Sequence, residues 1–107
     1  MDNVSISRAG TTATAVLSEK VAAQNYEDIQ NGVEAFINAN EDLEAFVFDL
    51  HNTLYISSAG LRMFQHMSSL ANEKDMSYKL VGLRPDVMTM FKLTGYSSVF
   101  ELEPIED

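Results

Sequence analysis

At 107 residues the chain has the length of one domain, and 46% apolar with 21% charged residues is the balance of a folded globular protein. Sixteen acidic against seven basic side chains give a formal charge of −9, which repels nucleic acid and anionic lipid and favours a protein partner with a basic face. Cysteine is absent, so disulfides, thiolate catalysis and cysteine metal sites are excluded together.

No apolar run approaches the roughly 20 residues needed to cross a bilayer. The start, with Asp2 and Asn3 after Met1, lacks the basic stretch and following apolar segment of a secretory signal. One cytoplasmic domain spanning residues 1–107 is therefore expected, as a monomer or weak dimer.

Taken in order, the first elements are strands. Apolar and polar residues alternate over Val4 to Ile6 and again over Thr12 to Leu17, with a turn signal at Ala9 and Gly10, and this predicts a hairpin. Ser18, Glu19 and Lys20 then lead into a small-residue connection at Ala22 and Ala23. Asn25, with Asp28 three residues on, has the spacing of a capping box. A helix over 25–38 is predicted from the stripe Ile29, Val33, Phe36 and Ile37, faced by Glu27, Asp28, Gln30, Asn31 and Glu34.

The run Ala45 to Phe48 does not alternate, which predicts a strand buried on both faces between helices. After a polar patch at His51, Asn52 and Thr53, the chain reaches Ser57 and Ser58 and opens a second helical pattern. Leu61, Phe64, Ser68 and Ala71 form one stripe on it, and Met63, Met67 and Leu70 a second beside it. That is more apolar surface than one packed face needs. It fits either a wide core contact or an adaptable partner surface, since methionine re-packs against irregular shapes. Asn72 to Met76 is a polar exit and Tyr78 to Leu83 the next strand. Pro85 and Asp86 suit the first turn of a third helix, with Val87, Met90, Phe91 and Thr94 inside and Gly95 at its end. Ser98 to Leu102 predicts a short final strand, followed by an acidic tail. Strands alternating with helices indicate an α/β layer architecture.

The stretch Phe46 to Leu61 carries the candidate chemistry, because a strand there delivers two serines to a helix start. A helix start has unpaired backbone N–H groups and a partial positive charge, so it accepts a hydroxyl or an anion. From local sequence, Ser58 reads as the N-cap. A serine nucleophile would need a base, and the histidines are His51 and His66. Ser57-Ser58-Ala59-Gly60 lacks the first glycine of a nucleophile elbow, and neither metal-ligand spacing nor a nucleotide-cradling glycine loop is present. Asp49, at the end of the central strand, suits hydrogen-bonding to the loop that follows. Gly60 suits close backbone packing or partner approach.

Asp49-Leu50, a short loop, Tyr55, then Ile56-Ser57-Ser58-Ala59-Gly60-Leu61, together with the block Leu83 to Leu102, resemble the STAS domain family and within it the bacterial anti-sigma factor antagonists. The resemblance implies an α/β fold with a four- to five-stranded mixed sheet and helices packed mainly on one side. It implies no enzymatic activity and no cofactor. Ser58 aligns with the serine that is phosphorylated in those antagonists, with Ser57 as second choice. The expected partner-binding residues are Ser57, Ala59, Gly60, Arg62, Met63 and Met67. The implied partner is a serine-kinase anti-sigma factor, bound by the unmodified form and released by the phosphorylated one, with a PP2C-type phosphatase as a further partner. The family commonly has aspartates where this chain has Ser57 and Ala22. Their replacement favours a rival reading as a STAS scaffold or ligand-sensing module that is never phosphorylated.

Overall fold

The computed structural model describes residues 3–96 and 100–106. The hairpin forms as expected: β1 (Val4–Ala9) pairs antiparallel with β2 (Thr12–Leu17) in the register Val4 to Leu17 and Ala9 to Thr12. The chain continues through β3 (Lys20–Val21), α1 (Tyr26–Ala39), β4 (Ala45–Asp49), β5 (Tyr55–Ile56), α2 (Ser58–Glu73), β6 (Ser77–Leu83), α3 (Pro85–Leu93) and β7 (Glu101–Pro104).

The main sheet has the order β1-β2-β4-β6-β7, with all pairs after the hairpin parallel. Each parallel step crosses over through one helix, and the steps all run the same way along the sheet. Crossovers of one hand therefore stack α1, α2 and α3 on one face. The burial pattern agrees: Ala13, Ala15 and Leu17 of β2, Phe46 and Phe48 of β4, and Leu80 of β6 are buried, while the residues between them are half-buried. The expectation that β4 is buried on both faces is thus corrected. Ala45, Val47 and Asp49 point away from the helices and are half-buried, with Thr12, Thr14 and Val16 of β2 and Ser77, Lys79 and Val81 of β6 beside them.

Between sheet and helices lie Ile29, Val33 and Ile37 of α1, Met63, Phe64, Met67 and Ala71 of α2, and Val87 and Phe91 of α3. A chain of rings, Phe46, Phe48, Phe64, Phe91 and Phe100, threads this core with centroids 5.2 to 6.0 Å apart. Edge-on and tilted contacts of this kind add to area burial. The Tyr78 hydroxyl donates to the Phe64 carbonyl at 2.8 Å, and burial holds its phenol well above the usual tyrosine range. It therefore remains a donor.

Two local expectations change. Asn25 does precede α1, but its side chain makes no capping bond. It brackets the preceding connection instead, accepting from the Ala22 N–H at 2.9 Å and donating to the Lys20 carbonyl at 2.7 Å and to Asn3 at 3.2 Å. The final strand lies at Glu101–Pro104, not Ser98–Leu102; residues 98 and 99 of the expected strand lie outside the described residues. Part of the acidic tail is thus strand, and Ile105 N–H continues the ladder to the Leu83 carbonyl at 2.8 Å. Charged side chains suit it because β7 is an edge strand, where Glu103 pairs with Lys79 at 3.0 Å. α3 has the expected ends, with Pro85 at its first position and Gly95 at φ +83° just past Thr94, a conformation that favours glycine. Of its expected inner face Val87 and Phe91 are buried and Met90 is half-buried, whereas Thr94 is exposed because it caps the helix end instead of packing inward.

Candidate functional site

The start of α2 is set by a second, two-stranded sheet. Lys20 and Val21 of β3 pair parallel with Tyr55 and Ile56 of β5, and the Ser57 N–H continues the pairing to the Val21 carbonyl at 2.9 Å. The β3 side is held by Asn25, and the β5 side by Thr53. Thr53 is fully buried, and its hydroxyl donates to the Ser18 carbonyl at 2.8 Å. Helix and platform approach closely at Gly60: an added Cβ would sit 2.6 Å from the Val21 carbonyl oxygen and 2.9 Å from Ile56 Cγ2. A side chain at position 60 would push the helix off its seat.

Held in this way, the two serines do different work. Ser57 is extended, at φ −86° and ψ 175°, and its hydroxyl oxygen accepts from the Gly60 N–H at 3.4 Å. It is the N-cap. Ser58 is the first helical residue, its side chain is exposed, and among the described residues its hydroxyl has no hydrogen-bond partner. The expectation that Ser58 caps the helix is therefore corrected, and the correction leaves the Ser58 hydroxyl facing solvent.

Along α2 the expected partner-binding residues separate by helical angle. Arg62 is exposed and Ser57 half-buried. Ala59 retains 8% of its surface, Gly60 is buried against β3, and Met63 and Met67 retain 1% each. The methionines are core residues, and a partner surface built from their side chains is excluded. The physical reason is position: α2 lies over the middle of the sheet, touches α1 on one side and β6 below, and so consumes both apolar stripes in packing.

Beside Ser58 the exposed apolar groups are instead Leu54 and Tyr55, at 50% and 49% exposure. The sequence carries a sign of this, because Leu54-Tyr55-Ile56 is an apolar run in a segment too short to bury all three. On the other flank, α1 and α2 enclose a groove of about 310 Å³ lined by Tyr26, Glu27, Gln30, Ala59, Arg62 and His66, among others.

The two positions where aspartates were looked for do flank the site. Ser57 is spent on capping, and Ala22, 4% exposed, follows Val21 at the edge of the platform. Neither supplies a carboxylate. Asp49 bonds its own loop as expected: Oδ1 accepts from the His51 N–H at 3.0 Å and lies 2.8 Å from His51 Nδ1, while Arg84 Nε donates to the His51 carbonyl at 3.0 Å. His66 Nε2 lies 2.8 Å from Glu34 Oε2. Each imidazole lies beside a carboxylate, and among the described residues neither is hydrogen-bonded to Ser57 or Ser58. Among the described residues no group of three His, Asp or Glu side chains is placed to hold a metal ion, and no helix is long and apolar enough to cross a membrane.

The sequence profile of the STAS domain matches residues 6–107. Among solved structures, an anti-sigma factor antagonist from Mycobacterium paratuberculosis is 17% identical, with 94% of this chain and 84% of that one covered and a TM-score of 0.79. The phosphorylated form of the Bacillus cell fate determinant SpoIIAA is 12% identical, with 96% and 92% covered and a TM-score of 0.72. A serine-to-glutamate variant of RsbS from Moorella thermoacetica is 15% identical, with 99% and 89% covered and a TM-score of 0.80. At these identities the likeness is one of fold. No match was found among curated proteins.

Proposed function

The chain belongs to the STAS domain family, and from that premise we propose that it is an anti-sigma factor antagonist whose docking to a serine-kinase anti-sigma factor is controlled by reversible phosphorylation of Ser58. The observation that carries the reading is the division of labour between adjacent serines. Ser57 satisfies the helix start, so the Ser58 hydroxyl is exposed and unengaged among the described residues.

The chemistry belongs to the kinase. Ser58 Oγ attacks the γ-phosphorus of kinase-bound ATP, its proton passes to a base on the kinase, the bond from phosphorus to the β,γ-bridging oxygen breaks, and ADP leaves. ATP and magnesium are the kinase's, and this chain needs no cofactor of its own and catalyses nothing. Return to the unmodified form is hydrolysis of the phosphoserine by a phosphatase of the PP2C type. In this reading the protein is cytoplasmic.

Phosphorylation changes binding without unfolding the domain, because the modified oxygen lies on the surface. The phosphate adds about −1.5 to −2 charges at the centre of the contact. A protein already at −9 then presents a strongly hydrated anion that a docked partner must desolvate. A change of about 1.4 kcal/mol shifts affinity tenfold, so a few kcal/mol suffices to exchange one partner for another.

A second reading, a STAS scaffold or ligand-sensing module that is never phosphorylated, is favoured by Ala22 and Ser57 standing where carboxylates are common. One experiment separates the two: incubation with the cognate kinase and ATP, with any phosphate mapped by mass spectrometry. We expect one phosphate on Ser58 and none on Ser58→Ala. A Ser58→Ala variant labelled as fully as the parent removes Ser58 from the proposal, and kinase binding without any transfer favours the scaffold.

A further inference from the structure

We infer that Arg62 holds the phosphate once Ser58 is modified, and that this contact withdraws Arg62 from the surface a partner meets. The inference rests on the reading of Ser58 as the phosphorylated residue and adds a second component to the switch. Ser58 is the first residue of α2 and Arg62 stands four residues on, so the two side chains rise from the same face one turn apart, with Cβ atoms about 5 to 6 Å from each other. Both are exposed. Arg8 and Lys79 are engaged with Asp42 and Glu103, whereas Arg62 has no ion-pair partner among the described residues.

The acidic groups across the groove do not compete strongly. Glu34, outside the groove lining, is held by His66 at 2.8 Å, and Glu27, which lines the groove, makes no ion pair with Arg62 among the described residues. The guanidinium fork fits a phosphate with two parallel bonds, which an ammonium does not reproduce. The register is also selective. Four residues after Ser57 comes Leu61, apolar and 6% exposed, so a phosphate on the second serine would find no cation at the same spacing. Modification of Ser58 thus alters the docking face twice, adding an anion and engaging the arginine beside it. An acidic group on the partner that met Arg62 in the unmodified complex loses its counter-charge.

The test uses the full chain with phosphoserine installed at position 58 during translation, so that no kinase is needed. Its failure is therefore distinct from failure of the phosphorylation assay. The second ionisation of the phosphate is followed by ³¹P resonance against pH in the parent, Arg62→Gln and Arg62→Lys. A guanidinium stabilises the dianion, so the parent midpoint is expected below that of Arg62→Gln by about 0.2 to 0.4 pH unit. Arg62→Lys should fall between, because the charge stays and the fork is lost. The difference should shrink in high salt. Coincident midpoints in parent and Arg62→Gln overturn the clamp. A second readout needs no variant to fold: the Arg62 Nε–H signal must differ between modified and unmodified parent, and an unchanged signal also overturns it. For the withdrawal, unmodified Arg62→Gln should bind the cognate kinase about threefold more weakly. Binding equal to the parent overturns that half.

Discussion

The start of α2 differs from the starts of α1 and α3. α1 carries Glu27 and Asp28 in its first turn, and α3 carries Asp86, whose carboxylate accepts from the Val87 N–H at 3.1 Å. Both helices answer their positive ends with their own acids. α2 has no acidic residue in its first turn and offers one hydroxyl as cap and another to solvent. In a chain with sixteen acidic residues, a long central helix without a carboxylate at its start is a local reversal of the overall charge. The difference shows where an added anion would be tolerated by the fold: at α2 it meets an open helix end, while at α1 or α3 it would meet a like charge.

The comparison can be broken most forcefully at Gly60. Gly60→Ala places a methyl group against the Val21 carbonyl and Ile56, and should cost about 2 to 3 kcal/mol in urea unfolding as β3 and β5 are pushed aside. A neutral outcome would mean the platform does not seat the helix. The next effect in size separates the two serines. Ser57→Ala removes the cap and should cost about 1 kcal/mol, whereas Ser58→Ala should stay within about 0.5 kcal/mol. Equal costs would contradict the assignment of the cap to Ser57.

Smaller effects sharpen the contrast between helix starts. Ser58→Asp should stabilise the isolated protein by about 0.3 to 1 kcal/mol at low ionic strength and lose that gain in salt, and Asp86→Asn should cost a similar amount at α3. Thermal unfolding at two salt concentrations reads both. The smallest effect lies away from the helix starts and supplies a baseline. The Arg8 guanidinium, bonded to Asp42 at 2.7 Å, holds that carboxyl below the usual range. A lowered folded-state value means that its stabilising contribution is complete above the unfolded carboxyl value of about 3.9 and disappears as the pH falls through the folded one. Asp42→Asn should therefore differ from the parent by a constant small amount at neutral pH and converge with it in acid. Asp42 is exposed and Arg8 only half-buried, so solvent screens the pair and the difference is slight.

Much of this fold can be read along the chain. The α1 stripe of Ile29, Val33 and Ile37, the boundaries of α3 at Pro85 and Gly95, and the β1–β2 hairpin follow from periodicities and turn residues that act over a few positions. β3 and β5 cannot be read in this way, because two-residue strands have no period, and each exists through its pairing with the other. The same holds for the bracketing side chains. Asn25 and Thr53 look like a helix cap and a loop residue until Lys20, Ala22 and Ser18 are brought beside them. Met63 and Met67 fit either a wide core contact or a partner surface, since an apolar stripe records only that something covers it.

By itself the sequence determined the order of the three helices and of the main-sheet strands, the inward face of α1, Val87 and Phe91 as the inward residues of α3, and the presence of two serines, with no adjacent carboxylate, at the opening of α2. These are local properties, set by backbone preferences and by the spacing of apolar residues. The tertiary structure alone decided which serine caps and which faces solvent, because either hydroxyl is chemically fit to cap. The choice is made by the bond from the Ser57 N–H to the Val21 carbonyl and by the close seat of Gly60, contacts that join segments more than thirty residues apart.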